Sequence, residues 1–130
     1  HPLLQLSGTV LYAEGDDDQR QRGTAILKKF GLKVEAVANG KDAVDKVSRH
    51  PERYLFVFLD MRLPVMDGLT ALTQIVRIRQ DQRIILTSSK SVTSETHRLV
   101  DEGLAVTIAK PIDEGELSGA IRELLERHPI

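Results

Sequence analysis

The chain of 130 residues contains no cysteine and no tryptophan. Without Cys there is no disulfide, no thiolate metal site and no sulfur nucleophile, and a reducing compartment is permitted. Aromatic residues make up only 4% of the chain, too few for the stacking platforms that hold single-stranded nucleic acid. An excess of either charge is also missing. Lys and Arg number 18 against 19 Asp and Glu, so the basic footprint of a nucleic-acid binder is absent. No apolar run approaches the roughly 20 residues that span a bilayer. The start, His1 to Leu6, has neither the basic flank nor the long apolar region of a secretion signal. It also lacks an initiator Met, as a segment excised from a longer chain, or a processed chain, would. A cytoplasmic protein is expected, with no membrane contact and no direct contact with nucleic acid.

What is present is an alternation of short β-rich runs with helix-period stretches. Thr9 to Ala13 is the first run, closed by the acidic cluster Glu14-Gly15-Asp16-Asp17-Asp18. Ile26, Leu27 and Phe30 follow at helical spacing, with Gly31 as the residue after the helix end. Lys33 to Val37 reads as a strand, and Asn39-Gly40 turns the chain into a helix with Ala43, Val44 and Val47 on one face. Pro51 stops that helix. Tyr54 to Leu59 is apolar on both faces, as a central parallel strand covered by helices on both sides must be. It ends at Asp60. Leu69, Leu72, Ile75 and Val76 form the next helical stripe. Arg83 to Leu86 is a strand ending at Thr87-Ser88-Ser89. A thinly apolar helix is expected over Val92 to Glu102, then a last strand from Leu104 to Ala109, then a helix carrying Leu117, Ile121, Leu124 and Leu125. Five β–α units predict one α/β domain, a doubly wound parallel sheet of five strands with five helices on its two faces. The domain is expected over 8–127, with loose termini at 1–7 and 128–130.

In an open sheet of this kind ligands bind beyond the carboxyl ends of the strands. That rule selects Glu14 and Asp16 after the first strand, Asp60 after the third, Thr87 and Ser88 after the fourth and Lys110 after the fifth. Carboxylates, a hydroxyl and an ammonium therefore share one edge. Clustered carboxylates are hard oxygen ligands suited to Mg²⁺, which shares its coordination with water and phosphoryl oxygens. One carboxylate can itself accept a phosphoryl group. Lys110 adds a fixed positive charge, and a Thr hydroxyl can donate to phosphoryl oxygens.

The residues that carry this chemistry also carry a resemblance. Phe58-Leu59-Asp60-Met61-Arg62-Leu63-Pro64-Val65-Met66-Asp67-Gly68, Ile84-Ile85-Leu86-Thr87-Ser88 and Ala109-Lys110-Pro111, with Gly103 before the last, resemble in order and spacing the motifs of the response-regulator receiver domain of two-component signalling. The likeness covers about residues 8 to 127. It implies a flavodoxin-like sheet with strand order 2-1-3-4-5. It also implies that Asp60 is the phosphoacceptor, that Lys110 contacts the phosphoryl group and that Thr87 turns inward after transfer. The implied Mg²⁺ ligands are Glu14, Asp16, Asp60 and the backbone carbonyl of Arg62. Pro111 would follow a cis peptide bond. The implied partner is a sensor histidine kinase or a histidine phosphotransfer protein. The domain would assist its own phosphorylation and dephosphorylation without acting as an enzyme on an outside substrate. An output domain in a longer chain and a homodimer are left open.

Two positions depart from the family pattern. The paired acids that end the first strand align here with Glu14 and Gly15, so the slot of a direct carboxylate ligand holds a glycine. Thr107 stands where the family usually has an aromatic ring that moves with the switch threonine. Both departures favour the alternative of a pseudo-receiver, a docking module that works without phosphorylation. A third reading, an aspartyl-phosphate phosphatase, requires an Asp-x-Asp pair, and Arg62 in the second position counts against it. Asp17, Asp18 and Asp67 are expected as helix caps or first-turn acids. His1, His50, His97 and His128 have no metal-ligand spacing and are assigned no role.

Overall fold

A strand with apolar side chains on both faces is stable only where both faces are covered. In the computed structural model, which describes residues 5–89 and 105–127, that strand is β3 (Tyr54–Asp60) and it lies mid-sheet. Around it run β1 (Gly8–Ala13), β2 (Leu32–Val37), β4 (Ile84–Ser88) and β5 (Val106–Ala109). The order is β2-β1-β3-β4-β5 and every pairing is parallel, as expected. The described helices are α1 (Asp17–Lys29), α2 (Gly40–Arg49), α3 (Gly68–Ile78) and α4 (Glu114–Arg127). The helix expected over 92–102, together with Gly103 and His97, lies outside the described residues, as do 1–4 and 128–130.

Capping explains where the first three helices begin. The carboxylates of Asp16 and Asp67 and the amide oxygen of Asn39 accept from the backbone N–H groups of Gln19, Thr70 and Asp42 at 2.9, 2.8 and 2.8 Å. Each such cap contributes about 1 kcal/mol. Helix α1 ends as expected at Gly31, whose φ of 89° is a left-handed conformation that costs glycine nothing. Leu6, within the segment expected to lie loose, donates its N–H to the Phe30 carbonyl at 2.7 Å and packs on the core.

The strand period of two divides the core. Leu11, Ala13, Val57, Leu59 and Leu86 face one way and pack on Ala43 and Val47 of α2 and Ala71, Leu72 and Ile75 of α3. Val10, Tyr12, Phe56, Phe58 and Ile108 face the other way and pack on Leu27 and Phe30 near α1 and Leu117, Ile121 and Leu124 of α4. Tyr12 meets Phe58 edge to face, with ring centroids 6.4 Å apart. The Tyr12 hydroxyl donates to the Gln19 carbonyl at 3.3 Å, and it reaches that helix because residue 23 has no side chain. A Cβ on Gly23 would overlap the Tyr12 hydroxyl.

This contact reverses a usual expectation. In a helix interior Gly→Ala normally stabilises by up to about 1 kcal/mol. Here Gly23→Ala is expected to destabilise by about 1–2 kcal/mol, since Tyr12 is buried and overpacking costs about 1–3 kcal/mol. Urea unfolding should show a lower midpoint with an unchanged slope; a raised midpoint would contradict the packing described.

Candidate functional site

The parallel register brings four strand ends to one edge. Asp60 closes β3 and pairs with Thr87 of β4, and Thr87 pairs with Ile108 of β5. Glu14 extends β1 by one residue, its N–H donating to the Val37 carbonyl at 3.1 Å. Lys110 follows β5, held by an N–H donation to the Ser88 carbonyl at 2.9 Å. Its peptide bond to Pro111 is cis. Residues separated by 46 and 50 positions in sequence thus converge without any of them being neighbours in the chain.

At the centre is the Lys110 ammonium. Its Nζ lies 2.7 Å from Asp60 Oδ2 and 2.8 Å from Glu14 Oε1. Glu14 is 2% exposed and Asp60 5%, so neither charge is well solvated and each requires a partner. The remaining carboxylate oxygens also have donors. Asp60 Oδ1 accepts from the Arg62 N–H at 3.2 Å, and Glu14 Oε2 accepts from the Asp16 N–H at 3.0 Å. Burial alone would push the Lys110 pKa down. The hydrogen bonds to Asp60 and Glu14, and their negative charge, outweigh it and hold the pKa above the ordinary lysine value. Beneath the pair, burial raises the Tyr12 phenol well above its usual range, and the charges of Glu14 and Asp60 add to the effect.

The Thr87 hydroxyl is buried and finds no hydrogen-bond partner among the described residues. An unused buried donor beside a carboxylate is costly, and it is explained if a further acceptor is meant to arrive. Asp16 does not join this cluster. It is exposed and its carboxylate caps α1, so it contributes only its N–H, to Glu14. Arg62 is exposed and enters through its N–H. Asp67 caps α3, as expected, while Asp17 and Asp18 lie in the first turn of α1. Thr107 pairs with Leu86 and is half-buried. Sequence reasoning passed over Tyr12 and Arg20. The guanidinium of Arg20 donates to the Glu14 carbonyl at 3.0 Å and pairs with Asp17, fixing the β1–α1 turn. Its i,i+3 spacing from Asp17 was the available signal.

Whether these residues suit Mg²⁺ can be judged from the donors. Among the described residues no three His, Asp or Glu side chains gather as a ready-made cage. Two carboxylates that share one ammonium are nevertheless close enough to share one small cation. Mg²⁺ commonly takes only one or two carboxylates and completes its shell with water and phosphate oxygens. Glu14 and Asp60 fit that pattern, and Asp16 in its present role does not.

The loop after Asp60 stores strain. Val65 has φ of 69° and is 78% exposed, a conformation that costs a residue with a Cβ about 1–2 kcal/mol. Val65→Asn is expected to stabilise by about 0.5–1 kcal/mol, since Asn tolerates this region and almost no packing is lost. Thermal unfolding should show a midpoint raised by about 2–5 °C; a lowered midpoint would show that the valine is held by contacts rather than strained.

A family model described as response regulator receiver domain matches residues 10–122. The chain is 36% identical over 101 residues to chemotaxis protein CheY of Bacillus subtilis, covering 77% of this chain and 82% of that protein. It is 35% identical over 120 residues to protein-glutamate methylesterase/protein-glutamine glutaminase 1 of Rhodospirillum rubrum, covering 88% of this chain and 30% of that one. Some relatives are longer still, and the chain spans 10% of one of them. The crystal structure of the CheX-CheY-BeF₃-Mg²⁺ complex from Borrelia burgdorferi superposes with a TM-score of 0.83 at 24% identity, over 92% of this chain and 90% of that one. That likeness concerns the fold. No helix among the described residues is long and apolar enough to cross a membrane.

Proposed function

Because the chain belongs to the response-regulator receiver family, we propose that Asp60 accepts a phosphoryl group from a phosphohistidine of a sensor kinase or phosphotransfer protein. The observation that carries this reading is the Lys110 ammonium bridging Asp60 and Glu14, with Thr87, whose hydroxyl has no partner among the described residues, on the adjoining strand end. In the transfer, an Asp60 carboxylate oxygen attacks phosphorus. The new O–P bond forms as the N–P bond of the donor breaks, and the electron pair returns to the imidazole, which takes a proton from solvent. Catalysis of this kind is positioning plus charge stabilisation.

Each residue has a part in that chemistry. Asp60 is oriented by the Arg62 N–H on one oxygen and by Lys110 on the other. Lys110 then follows the negative charge onto the phosphoryl oxygens, where a fixed ammonium is most effective in a site poor in water. Thr87 satisfies its buried hydroxyl by donating to a phosphoryl oxygen. Glu14 and Asp60 would hold Mg²⁺, with the Arg62 carbonyl as a further ligand. When bound, Mg²⁺ offsets the charge on the transferring group. The presence of BeF₃ and Mg²⁺ together in the Borrelia complex supports the same assignment here.

The movement of Lys110 and Thr87 would shift the domain between two conformations that a partner or output domain can distinguish. Thr107 offers no ring to take part, so the shift would be carried by the backbone around Thr87. The domain acts on its own Asp60 and not on an outside substrate, and a cytoplasmic setting follows from its partners.

Asp60→Asn is expected to abolish phosphate incorporation from acetyl phosphate or a histidine kinase, while circular dichroism stays that of the parent. Undiminished labelling of the variant would defeat the assignment. A parent protein that never labels, with the fold intact, would point instead to a docking module.

A further inference from the structure

We infer that Lys110 is the resident cation of the unphosphorylated site, and that Mg²⁺ binds strongly only together with the phosphoryl ligand, because Gly15 leaves the site one carboxylate short. This rests on the phosphoacceptor reading above and adds an order of assembly to it.

The first ground is occupancy. All four oxygens of Glu14 and Asp60 already accept hydrogen bonds, two of them from Lys110. A lone Mg²⁺ would have to displace the ammonium from both carboxylates. Buried, hydrogen-bonded charge pairs resist being parted, since each partner left alone is poorly solvated.

The second ground is charge. Two carboxylates and one ammonium leave one net negative charge. Mg²⁺ alone would convert this to one net positive charge in a pocket whose carboxylates are buried. An acidic residue at position 15 would restore balance, but that position is glycine. Asp16 does not make up the deficit, because its carboxylate is turned to cap α1. Once Asp60 carries a phosphoryl group the account changes. An acyl phosphate with two negative charges, Glu14, Lys110 and Mg²⁺ sum to neutrality. The phosphoryl oxygens also replace the missing ligand and give Lys110 a new partner, which frees the carboxylate oxygens. In the low-dielectric site such balance counts for more than it would in water.

The third ground is packing. A Cβ on Gly15 would stand 3.0 Å from Pro64 Cδ and 3.6 Å from the Ala38 carbonyl oxygen. The space beside Gly15 is bordered by the loop that follows Asp60. It is not an open slot into which a neighbouring carboxylate could easily be drawn.

The test is a Mg²⁺ titration of the chain, followed by amide chemical shifts and calorimetry, without and with beryllium chloride and sodium fluoride. Half-saturation is expected to fall by about 30-fold or more when beryllofluoride is present, within the range of coupling between linked ligands. Equal Mg²⁺ affinity in both states would overturn the inference and leave the phosphoacceptor reading intact. Failure of beryllofluoride to bind at any Mg²⁺ concentration would overturn both. Gly15→Asp is expected to tighten Mg²⁺ binding to the unphosphorylated protein by about 10-fold. Gly15→Ala, which brings the same Cβ without the charge, should leave it unchanged. Equal tightening in the two variants would refute the charge argument, and the parent titration decides the matter should Gly15→Asp fold poorly.

Discussion

The ammonium of Lys110 between two buried carboxylates is the contact on which the arrangement of the site depends. Glu14 and Asp60 are buried acids that each require a polar partner, and neither is close to Lys110 in sequence. The pair therefore requires β1, β3 and β5 to end at the same level. That condition is met by parallel pairing in register through β4, where Asp60 faces Thr87 and Ser88 faces Ala109. The sheet in turn exists because β3 is apolar on both faces and two layers of helices cover it. A polar site at the edge is thus a consequence of an apolar strand at the centre.

On the proposed phosphotransfer, the same contact would set the balance between rest and response. At rest, Lys110 satisfies both carboxylates and the Thr87 hydroxyl has no hydrogen-bond partner among the described residues. Arrival of a phosphoryl group would exchange these roles, giving Thr87 an acceptor and Lys110 a stronger one. A hydroxyl without a partner among the described residues at rest would lower the energy gap to be crossed, which is how a switch with two comparable states is built. On the inference above, the glycine at position 15 would act on the same balance through charge rather than through contact.

Much of the fold could be read from residues alone. The two-faced apolar run at 54–59, the helical stripes, Asn39-Gly40 as the turn into a helix, Asp67 as a cap and Gly31 as a helix end all follow from local rules, and the structure bears them out. Local rules were less informative for Asp16. An acid at that place can cap a helix or reach toward a cation, and its spacing to Gln19 and to Glu14 suits either. The backbone geometry at the start of α1 selects the cap. Tyr12 was legible only as an apolar strand residue. Its hydroxyl reaches α1 because Gly23 happens to lie opposite, a coincidence between two elements that no single stretch of sequence displays.

By itself, the amino-acid sequence determined the alternation of strands and helices and the chemical types that must crowd the carboxyl edge of the sheet. Those follow from periodicity and from side-chain chemistry, which are local. Only the tertiary structure decided which of those groups touch. It joined Lys110 to Asp60 and Glu14, left the Thr87 hydroxyl without a partner among the described residues and turned Asp16 away, because contact between residues dozens of positions apart depends on strand register and packing.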